Sequence, residues 1–212
     1  MAILDDIYTF TVKGNYKDME GMVKSVVDEG ERPNEIVKKA LSPAMIEVGE
    51  KFGTGELYMP DMLLSAKAVQ TAMRVLKPLL KGEEALLEKG TVVIGTVKGD
   101  LHDIGKNLVV TMAEGQGFHV IDLGIDVDYG KFVNAVKEHN PQIVAFSGLL
   151  TTTLANIHDH IKALENAGVR DKVSLAVGGA PVTRDFADRY GIEIYADDAS
   201  SAAKEFVKVV EN

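Results

Sequence analysis

The sequence contains no cysteine among its 212 residues. This absence excludes disulfide scaffolds, thiolate metal sites and thiol nucleophiles together. Any soft-metal chemistry in this chain must therefore use histidine.

Positive charge and long apolar runs are also scarce. The 23 Lys and Arg residues are outnumbered by 32 Asp and Glu residues, for a formal net charge of -9. Nucleic-acid binding needs a clustered positive surface, so the composition argues against DNA and RNA as partners. The amino-terminal MAILDDIYTF lacks the basic start and apolar core of a signal peptide, and no apolar run reaches the length that spans a bilayer. We therefore expect a cytoplasmic protein with no membrane partner.

Two regions of different hydrophobic periodicity lie on either side of the segment KGEEALLEKG at 81–90. In the first region apolar residues recur at helical spacing, which predicts a small helical bundle over residues 1–88. The residues at this spacing are Ile36, Ala40, Met45, Val48 and Phe52, and a second stripe comprises Met62, Ala66, Val69, Met73, Leu76 and Leu80.

The second region, residues 89–212, has short apolar runs at 91–97, 119–125, 142–150 and 173–179 that alternate with amphipathic segments. This pattern predicts an α/β fold in which parallel strands are covered on both faces by helical crossovers. With IEIY at 192–195 as a fifth strand, we expect a flavodoxin-like, doubly wound, five-stranded sheet. Ligands of such sheets bind beyond the carboxyl ends of the strands, so the loops after the strands are the candidate site.

The loop after the first predicted strand contains Asp100 and His102. Side chains two residues apart in an extended loop project the same way, so the carboxylate can accept the N–H of the imidazole. A carboxylate in that position orients metal-binding histidines and raises their basicity. An isolated D-x-H is equally compatible with Asp100 as the cap of the following helix. A zinc or iron site would need further protein ligands, whereas a single ligand suggests a metal held by a macrocycle.

The segment DLHDIG at 100–105 resembles the D-x-H-x-x-G motif of cobalamin-binding domains in corrinoid methyltransferase proteins and in cobalamin-dependent methionine synthase. The resemblance implies a Rossmann-like B12-binding domain that holds cobalamin or a related corrinoid. It further implies that the cofactor's own base is displaced from cobalt and that His102 is the lower axial ligand, the base-off, His-on form.

Other loops resemble the same family. The segment SGLLTTT at 147–153 is similar to the family's S-x-L segment, in which Ser147 and Thr151 map onto contacts with the cofactor tail. Thr153 falls where the methionine synthase pattern has a serine that extends the Asp-His pair into a triad. The same hydroxyl residues would also suit a cap of the following helix.

Gly178 and Gly179 correspond to a glycine pair that lies against the nucleotide, and Ala199 corresponds to a position that contacts the base. The alternative for Ala199 is that it packs inward in an Asp-capped terminal helix. In the bundle, KFGTGELYMP at 51–60 resembles the family's cap, which covers the upper face of cobalt with Phe52 and with Met59 in place of a leucine. The alternative is that these two side chains belong to the bundle core.

Taken together, the resemblance assigns cofactor contacts to sixteen residues. They are Gly99, Asp100, Leu101, His102, Asp103, Ile104, Gly105, Ser147, Leu149, Thr151, Thr153, Gly178, Gly179, Ala199, Phe52 and Met59.

The function implied is that of a corrinoid methyl-carrier subunit, cycling between Co(I) and methyl-Co(III) and not catalytic alone. Its partners would be a substrate-specific methyltransferase, an acceptor methyltransferase that acts on a thiol or tetrahydrofolate, and a reductive activator. Methanol, methylamines, glycine betaine and aryl methyl ethers all remain open as methyl donors. A B12-dependent sensor is the alternative, whereas a phosphoacceptor receiver fails because Ser147 stands where a receiver needs aspartate.

Overall fold

A computed structural model of the protein describes residues 2–79 and 89–211. The described residues form two compact units: residues 2–79 and 89 with Gly115–Gly117, and Gly90–Glu114 with residues 118–211. Except for its last two residues, the predicted linker at 81–90 lies outside the described residues, and the domain boundary at 88/89 stays a prediction. No helix within the described ranges is long and apolar enough to cross a membrane.

The first unit is helical, as predicted. Its elements are α1 (Ala2–Val12), α2 (Tyr16–Asp28), α3 (Pro33–Ile36), a π-helical turn (Val37–Leu41), α4 (Ser42–Gly53), α5 (Met59–Leu76) and a 3-10 turn (Lys77–Leu79). The start of α5 is capped by a hydrogen bond of 3.0 Å from the Tyr58 N–H to the Asp61 carboxylate.

Most of the predicted apolar stripes form the core of this unit. The stripe residues that are fully buried are Ile36, Ala40, Met45, Val48, Met62 and Leu76. Ala72, which was not predicted, is fully buried as well. Phe52 and Met73 are only half-buried, and Leu80 lies outside the described residues.

The second unit alternates strands and helices. Its elements are β1 (Thr91–Thr96), α6 (Ile104–Gly115), β2 (His119–Asp122), α7 (Tyr129–His139), β3 (Ile143–Ser147), α8 (Leu154–Asn166), a 3-10 turn (Arg170–Lys172), β4 (Ser174–Gly178), α9 (Arg184–Arg189), β5 (Ile194–Tyr195) and α10 (Ala199–Glu211).

The five strands are parallel and lie in the order β2-β1-β3-β4-β5, which confirms the predicted flavodoxin-like, doubly wound sheet. The strands are shorter than the apolar runs, because the ends of those runs enter the loops. The fifth strand begins at Ile194 rather than at Ile192. The Ile192 N–H donates to the Ala187 carbonyl at the end of α9 instead of to the sheet, and the Glu193 carboxylate accepts the Leu175 N–H.

Apolar side chains cover both faces of the sheet. Val93 and Phe146 belong to one buried cluster, and Val92, Ile94 and Ala145 belong to the other. Successive strand residues point to opposite faces, so a strand buried on both sides must be apolar throughout. This explains the near-continuous apolar runs of the sequence.

Candidate functional site

The carboxyl ends of β1, β3 and β4 lie side by side at the point where the strand order reverses. Thr96 at the end of β1 pairs with Ser147 at the end of β3, which in turn pairs with Gly178 at the end of β4. The loops that follow, 97–103, 148–153 and 179–183, are therefore neighbours. Because open α/β sheets bind ligands at this switch point, this edge is the candidate site.

Asp100 is the fixed centre of this edge and is fully buried. Its Oδ2 accepts the N–H groups of Leu149 at 2.7 Å and Leu150 at 3.1 Å and lies 3.0 Å from the hydroxyl of Thr153. Its Oδ1 accepts the backbone N–H of His102 at 3.0 Å. The carboxylate thus joins the loops after β1 and β3.

The charge of Asp100 is stabilised by these donors. Burial alone would raise the pKa of Asp100, but the hydrogen bonds from the backbone of His102 and Leu149 and from the His102 ring outweigh it. The pKa therefore lies well below its usual range, and the group is an ionised acceptor at neutral pH.

The His102 ring lies against Asp100 on one side and is open on the other. Its Nδ1 is 2.7 Å from Asp100 Oδ1, and 51% of its side chain is exposed. An ionised carboxylate can only accept, so the proton of a neutral imidazole lies on Nδ1. The lone pair of Nε2 is then free, and no hydrogen bond joins Nε2 to any residue of the described ranges. The arrangement is that of an oriented, basic metal ligand.

Thr153 belongs to this network rather than to a helix cap. Thr153 is the residue immediately before α8, yet its side chain makes no capping hydrogen bond. The structure therefore brings Asp100, His102 and Thr153 together as the resemblance implied. Asp100 does not cap α6, which begins at Ile104, so that alternative is wrong.

Hydrogen bonds hold the backbone of the loop after β1 at several points. The Gly99 N–H donates to Asp126 Oδ1 at 2.7 Å, and the carbonyl of Asp100 accepts the Asp126 N–H at 3.0 Å. The His102 carbonyl accepts the Thr96 hydroxyl at 2.8 Å. Gly99 has φ +82°, a left-handed conformation that favours glycine.

The same edge exposes large apolar side chains. Leu101 is 67% exposed on the His102 loop, Ile104 is 64% exposed at the start of α6, and Leu149 is 40% exposed on the loop after β3. Asp103 and Gly105, on either side of Ile104, are exposed as well. An exposed apolar rim around a polar centre is typical of a ligand-binding surface.

The loops after β3 and β4 approach each other backbone to backbone. A Cβ on Gly179, whose φ is +135°, would overlap the carbonyl oxygen of Gly148. The need for glycine at this position thus comes from the protein's own packing. Gly179 and Thr151 are exposed, while Ser147 and Gly178 are partly exposed. All four lie at the edge that carries His102.

Ala199 is nearly buried at the start of α10. Asp198 caps this helix, because its Oδ1 accepts the Ser201 N–H at 2.8 Å. The capped-helix alternative is confirmed, and the contact of Ala199 with a cofactor base stays a prediction.

In the helical unit, Phe52 is half-buried near the end of α4 and Met59 is 38% exposed at the start of α5. Membership of the bundle core is therefore wrong for Met59. Tyr58 and Leu63, one helical turn from Met59, are exposed as well. That these side chains face a cofactor stays a prediction.

Several residues of this edge were not predicted. Lys106 is buried and donates to Asp122 at the end of β2 at 2.6 Å. Asn156 and His160 contact the His102 loop from α8. Their spacing from Thr153, three and seven residues, is a polar stripe at helical period that the sequence does display. The described residues contain no group of three or more metal-ligating side chains, so the zinc or iron alternative finds no ligand set there.

Comparison with known protein families gives two matches. A B12 binding domain model matches residues 90–207, and a second B12 binding domain model matches residues 3–77. The trimethylamine corrinoid protein of Methanosarcina barkeri is 44% identical over 184 residues, which are 86% of this chain and 85% of that protein.

Two solved structures are also similar to the chain. A cobalamin-binding protein from Desulfitobacterium hafniense DCB-2 is 34% identical with a TM-score of 0.80, covering 97% of this chain and 98% of that one. The methanol:cobalamin methyltransferase complex from Methanosarcina barkeri contains a chain that is 26% identical, with a TM-score of 0.87, covering 100% of this chain and 80% of that one.

Proposed function

Because this chain belongs to the family of B12-binding corrinoid proteins, we propose that it is a methyl-carrier subunit of a methyltransferase system. It binds a cobalamin-type corrinoid at the carboxyl edge of the sheet, with His102 as the lower ligand of cobalt. The similarity to a trimethylamine corrinoid protein supports a methylated amine as the methyl donor. The similarity to a methyltransferase complex supports a methyltransferase as partner.

The observation that carries this proposal is the state of the His102 ring. One nitrogen is bound to the buried, ionised Asp100 at 2.7 Å, and the ring is half exposed with its other nitrogen free. A lone imidazole held in this way can supply one ligand and no more. That suits a metal whose remaining positions are filled by a macrocycle.

The surroundings of His102 also fit a corrinoid. The flat, largely apolar face of such a ring matches the exposed Leu101, Ile104 and Leu149. Ser147, Thr151, Gly178 and Gly179 would line the path of the cofactor tail, because they lie along the neighbouring strand ends. When bound, the corrinoid supplies a cobalt that accepts and donates a methyl group.

The chain's own residues would orient the His102 ring, hold a proton on its Nδ1 and exclude water from the cofactor. Asp100 keeps the proton on Nδ1 of His102 and so keeps Nε2 basic towards cobalt. Thr153 fixes Asp100 through its hydroxyl at 3.0 Å. The leucines of the two loops keep water from the ligand side of the cofactor.

The family resemblance also implies further partners for the acceptor step and for activation. The chain has no cysteine, so it cannot supply a zinc-thiolate site for thiol-directed methyl transfer. We propose that a second methyltransferase, acting on a thiol or tetrahydrofolate, receives the methyl group, and that a reductive activator maintains the cofactor. The isolated chain is then expected to turn over no methyl donor.

Reconstitution tests the binding step. The purified chain is incubated with hydroxocobalamin, separated by gel filtration and assayed for cobalt, with one cobalamin expected per chain. The His102→Ala variant should still bind, since the rim and the tail path remain, but with a changed cobalt spectrum. Failure of cobalamin to co-elute with the wild-type chain would refute the proposal.

Transfer is tested with labelled trimethylamine and a trimethylamine methyltransferase, by following label on the reduced, cobalamin-loaded chain. Label should appear only when both proteins are present. Uptake of the labelled methyl group by the chain alone would contradict the carrier assignment. No uptake in the presence of the methyltransferase would contradict the choice of trimethylamine as donor.

A further inference from the structure

Three polar residues on one side of α8 and at the position before it contact the His102 loop. Thr153, Asn156 and His160 are spaced three and four residues apart and so lie on the same side of the helix. Thr153 contacts Asp100, as described. The Asn156 side-chain N–H donates to the Lys98 carbonyl at 2.6 Å, and the Lys98 N–H lies 3.4 Å from His160 Nε2. Both backbone polar groups of Lys98 are thus held by α8.

His160 is an unusual residue for the core in which it lies. It is fully buried, and its ring packs against Tyr129, Phe132 and Phe146 with centroids 4.6, 4.8 and 5.5 Å away. Burial lowers the pKa of His160 to about 4, so the ring is neutral at physiological pH. Since Nε2 accepts the Lys98 N–H, the proton lies on Nδ1, and Nδ1 has no hydrogen-bond partner within the described ranges.

An apolar ring would fill this aromatic pocket without leaving a buried donor unpaired, which is unfavourable. The imidazole therefore provides something that packing does not require, and its one polar contact is with Lys98. Gly99, the next residue, has a left-handed backbone and intrinsically wide freedom. The hydrogen bonds of Asp126 hold this segment at Gly99 and at the Asp100 carbonyl, and those of Asn156 and His160 hold it at Lys98. An anchor at Lys98 thus further restricts the backbone that sets the direction of the His102 ring.

We propose that Asn156 and His160 are positioning residues that fix Lys98 and thereby the orientation of His102 towards cobalt. The proposal rests on the proposed function, because it concerns the ligand of that cofactor. Neither residue touches the candidate ligand itself. They act on it through the backbone between Lys98 and His102.

The test uses the full chain reconstituted with hydroxocobalamin and reduced to Co(II). Three variants are compared with wild type: His160→Phe keeps an aromatic ring but removes the acceptor, His160→Gln keeps an acceptor, and Asn156→Leu removes the donor at similar volume. His158→Phe is the matched control, because His158 lies on the same helix but packs against Tyr190. The readouts are the nitrogen superhyperfine splitting of Co(II) and the Co(II)/Co(I) midpoint potential.

In His160→Phe and Asn156→Leu, the ratio of His-ligated to unligated Co(II) should fall about tenfold, the effect of one lost buried hydrogen bond. For a one-electron couple this corresponds to about 59 mV, in the direction of the His102→Ala protein. His160→Gln should restore most of the wild-type signal, and His158→Phe should match wild type. A purely structural role for His160 predicts no rescue by Gln.

The positioning role alone would be overturned if His160→Phe and Asn156→Leu kept the wild-type spectrum and potential while the spectrum of His102→Ala changed. A His102→Ala protein with the wild-type signal would instead overturn the ligand assignment and this proposal with it. Circular dichroism and co-elution of cobalamin establish that each variant is folded. Should His160→Phe not fold, Asn156→Leu decides, since Asn156 is only half-buried.

Discussion

The two edges of the parallel sheet use polar and apolar residues in opposite ways. At the amino edge, Arg170 and Glu193 form an ion pair of 2.7 Å near the surface, and the apolar Val173 beside them is buried. At the carboxyl edge, the carboxylate of Asp100 is buried while Leu101 is 67% exposed. The ordinary distribution of polar and apolar groups is thus reversed at the edge that carries His102.

This reversal separates residues that serve folding from residues that serve binding. A buried carboxylate is unfavourable unless several donors stabilise it, and an exposed leucine contributes little to stability. The amino edge closes the strand ends with surface contacts of small value. The carboxyl edge instead holds one imidazole in place and leaves apolar surface uncovered, an arrangement typical of a ligand-binding surface.

The largest effect expected from this comparison is the loss of the buried carboxylate. Asp100→Ala leaves the N–H groups of Leu149 and Leu150 and the Thr153 hydroxyl without their acceptor, and the free energy of unfolding should fall by about 4 kcal/mol. Glu193→Ala removes the surface ion pair with Arg170 and one acceptor of the Leu175 N–H, and should lower it by about 2 kcal/mol. Urea denaturation of both apo-proteins measures the difference.

Equal losses of unfolding free energy in Asp100→Ala and Glu193→Ala would show that the two edges contribute to stability in the same way. In that case the hydrogen bonds of Asp100 would be worth no more than those of a surface ion pair, and the burial of Asp100 would carry no functional meaning.

The pH dependence of stability should show a second large effect, at His160. Its folded-state pKa of about 4 lies below the ordinary value of about 6.5, so the unfolded state binds the proton first as the pH falls. The contribution of neutral His160 is complete above about pH 6.5 and is lost between there and pH 4, with a total near 3 kcal/mol.

The measurement is the difference in unfolding free energy between wild type and His160→Gln at several pH values. Taking this difference removes the common contributions of Asp128, Asp159 and Lys98, whose charges act on the ring. The stability of wild type relative to the variant should decrease as the pH falls from 6.5 to 4. A difference that stays constant over this range would mean that the ring is not buried in neutral form.

The sequence also predicted the two edges of the sheet to different extents. The parallel pairing of the strands followed from apolar runs alternating with helical segments, because strands buried on both faces cannot be polar. The predicted start of β5 was wrong, since the hydrogen bond from the Ile192 N–H to the Ala187 carbonyl depends on how α9 ends. The D-x-H spacing identified Asp100 and His102 because both lie in one short loop.

The contacts between distant segments were not predicted. Asn156 and His160 reach Lys98 across about sixty positions of the chain, and Asp126 reaches Gly99 from the loop after β2. Their residue types are common on helices and in loops, so only the packing of α8 and β2 beside β1 gives them a role. Thr153 was predicted through the family resemblance, and hydrogen-bonding patterns alone would have made it a helix cap.

A smaller effect is expected when one donor of the Asp100 network is removed. Thr153→Val keeps the shape of the side chain but loses the hydroxyl 3.0 Å from Asp100, and unfolding free energy should fall by about 1 kcal/mol. Thr153→Ser, which keeps the hydroxyl, is the control and should retain most of the wild-type unfolding free energy. If the Val and Ser variants are equally stable, the hydroxyl adds nothing to the carboxyl edge.

The smallest effect on stability should come from the exposed leucines, although they matter for binding. Leu101→Ser should change the free energy of unfolding by no more than about 0.5 kcal/mol, since the side chain has little protein around it. The same change should raise the Kd for hydroxocobalamin about fivefold, because apolar area that a ligand would cover is lost. Leu79→Ser, at an exposed leucine of the helical unit, is the control and should leave Kd unchanged. Absorbance titration and urea denaturation on the same samples separate the two quantities. A Leu101→Ser protein that is destabilised by more than the Thr153→Val protein, with Kd unaltered, would make Leu101 part of the folding core and remove the distinction between the two edges.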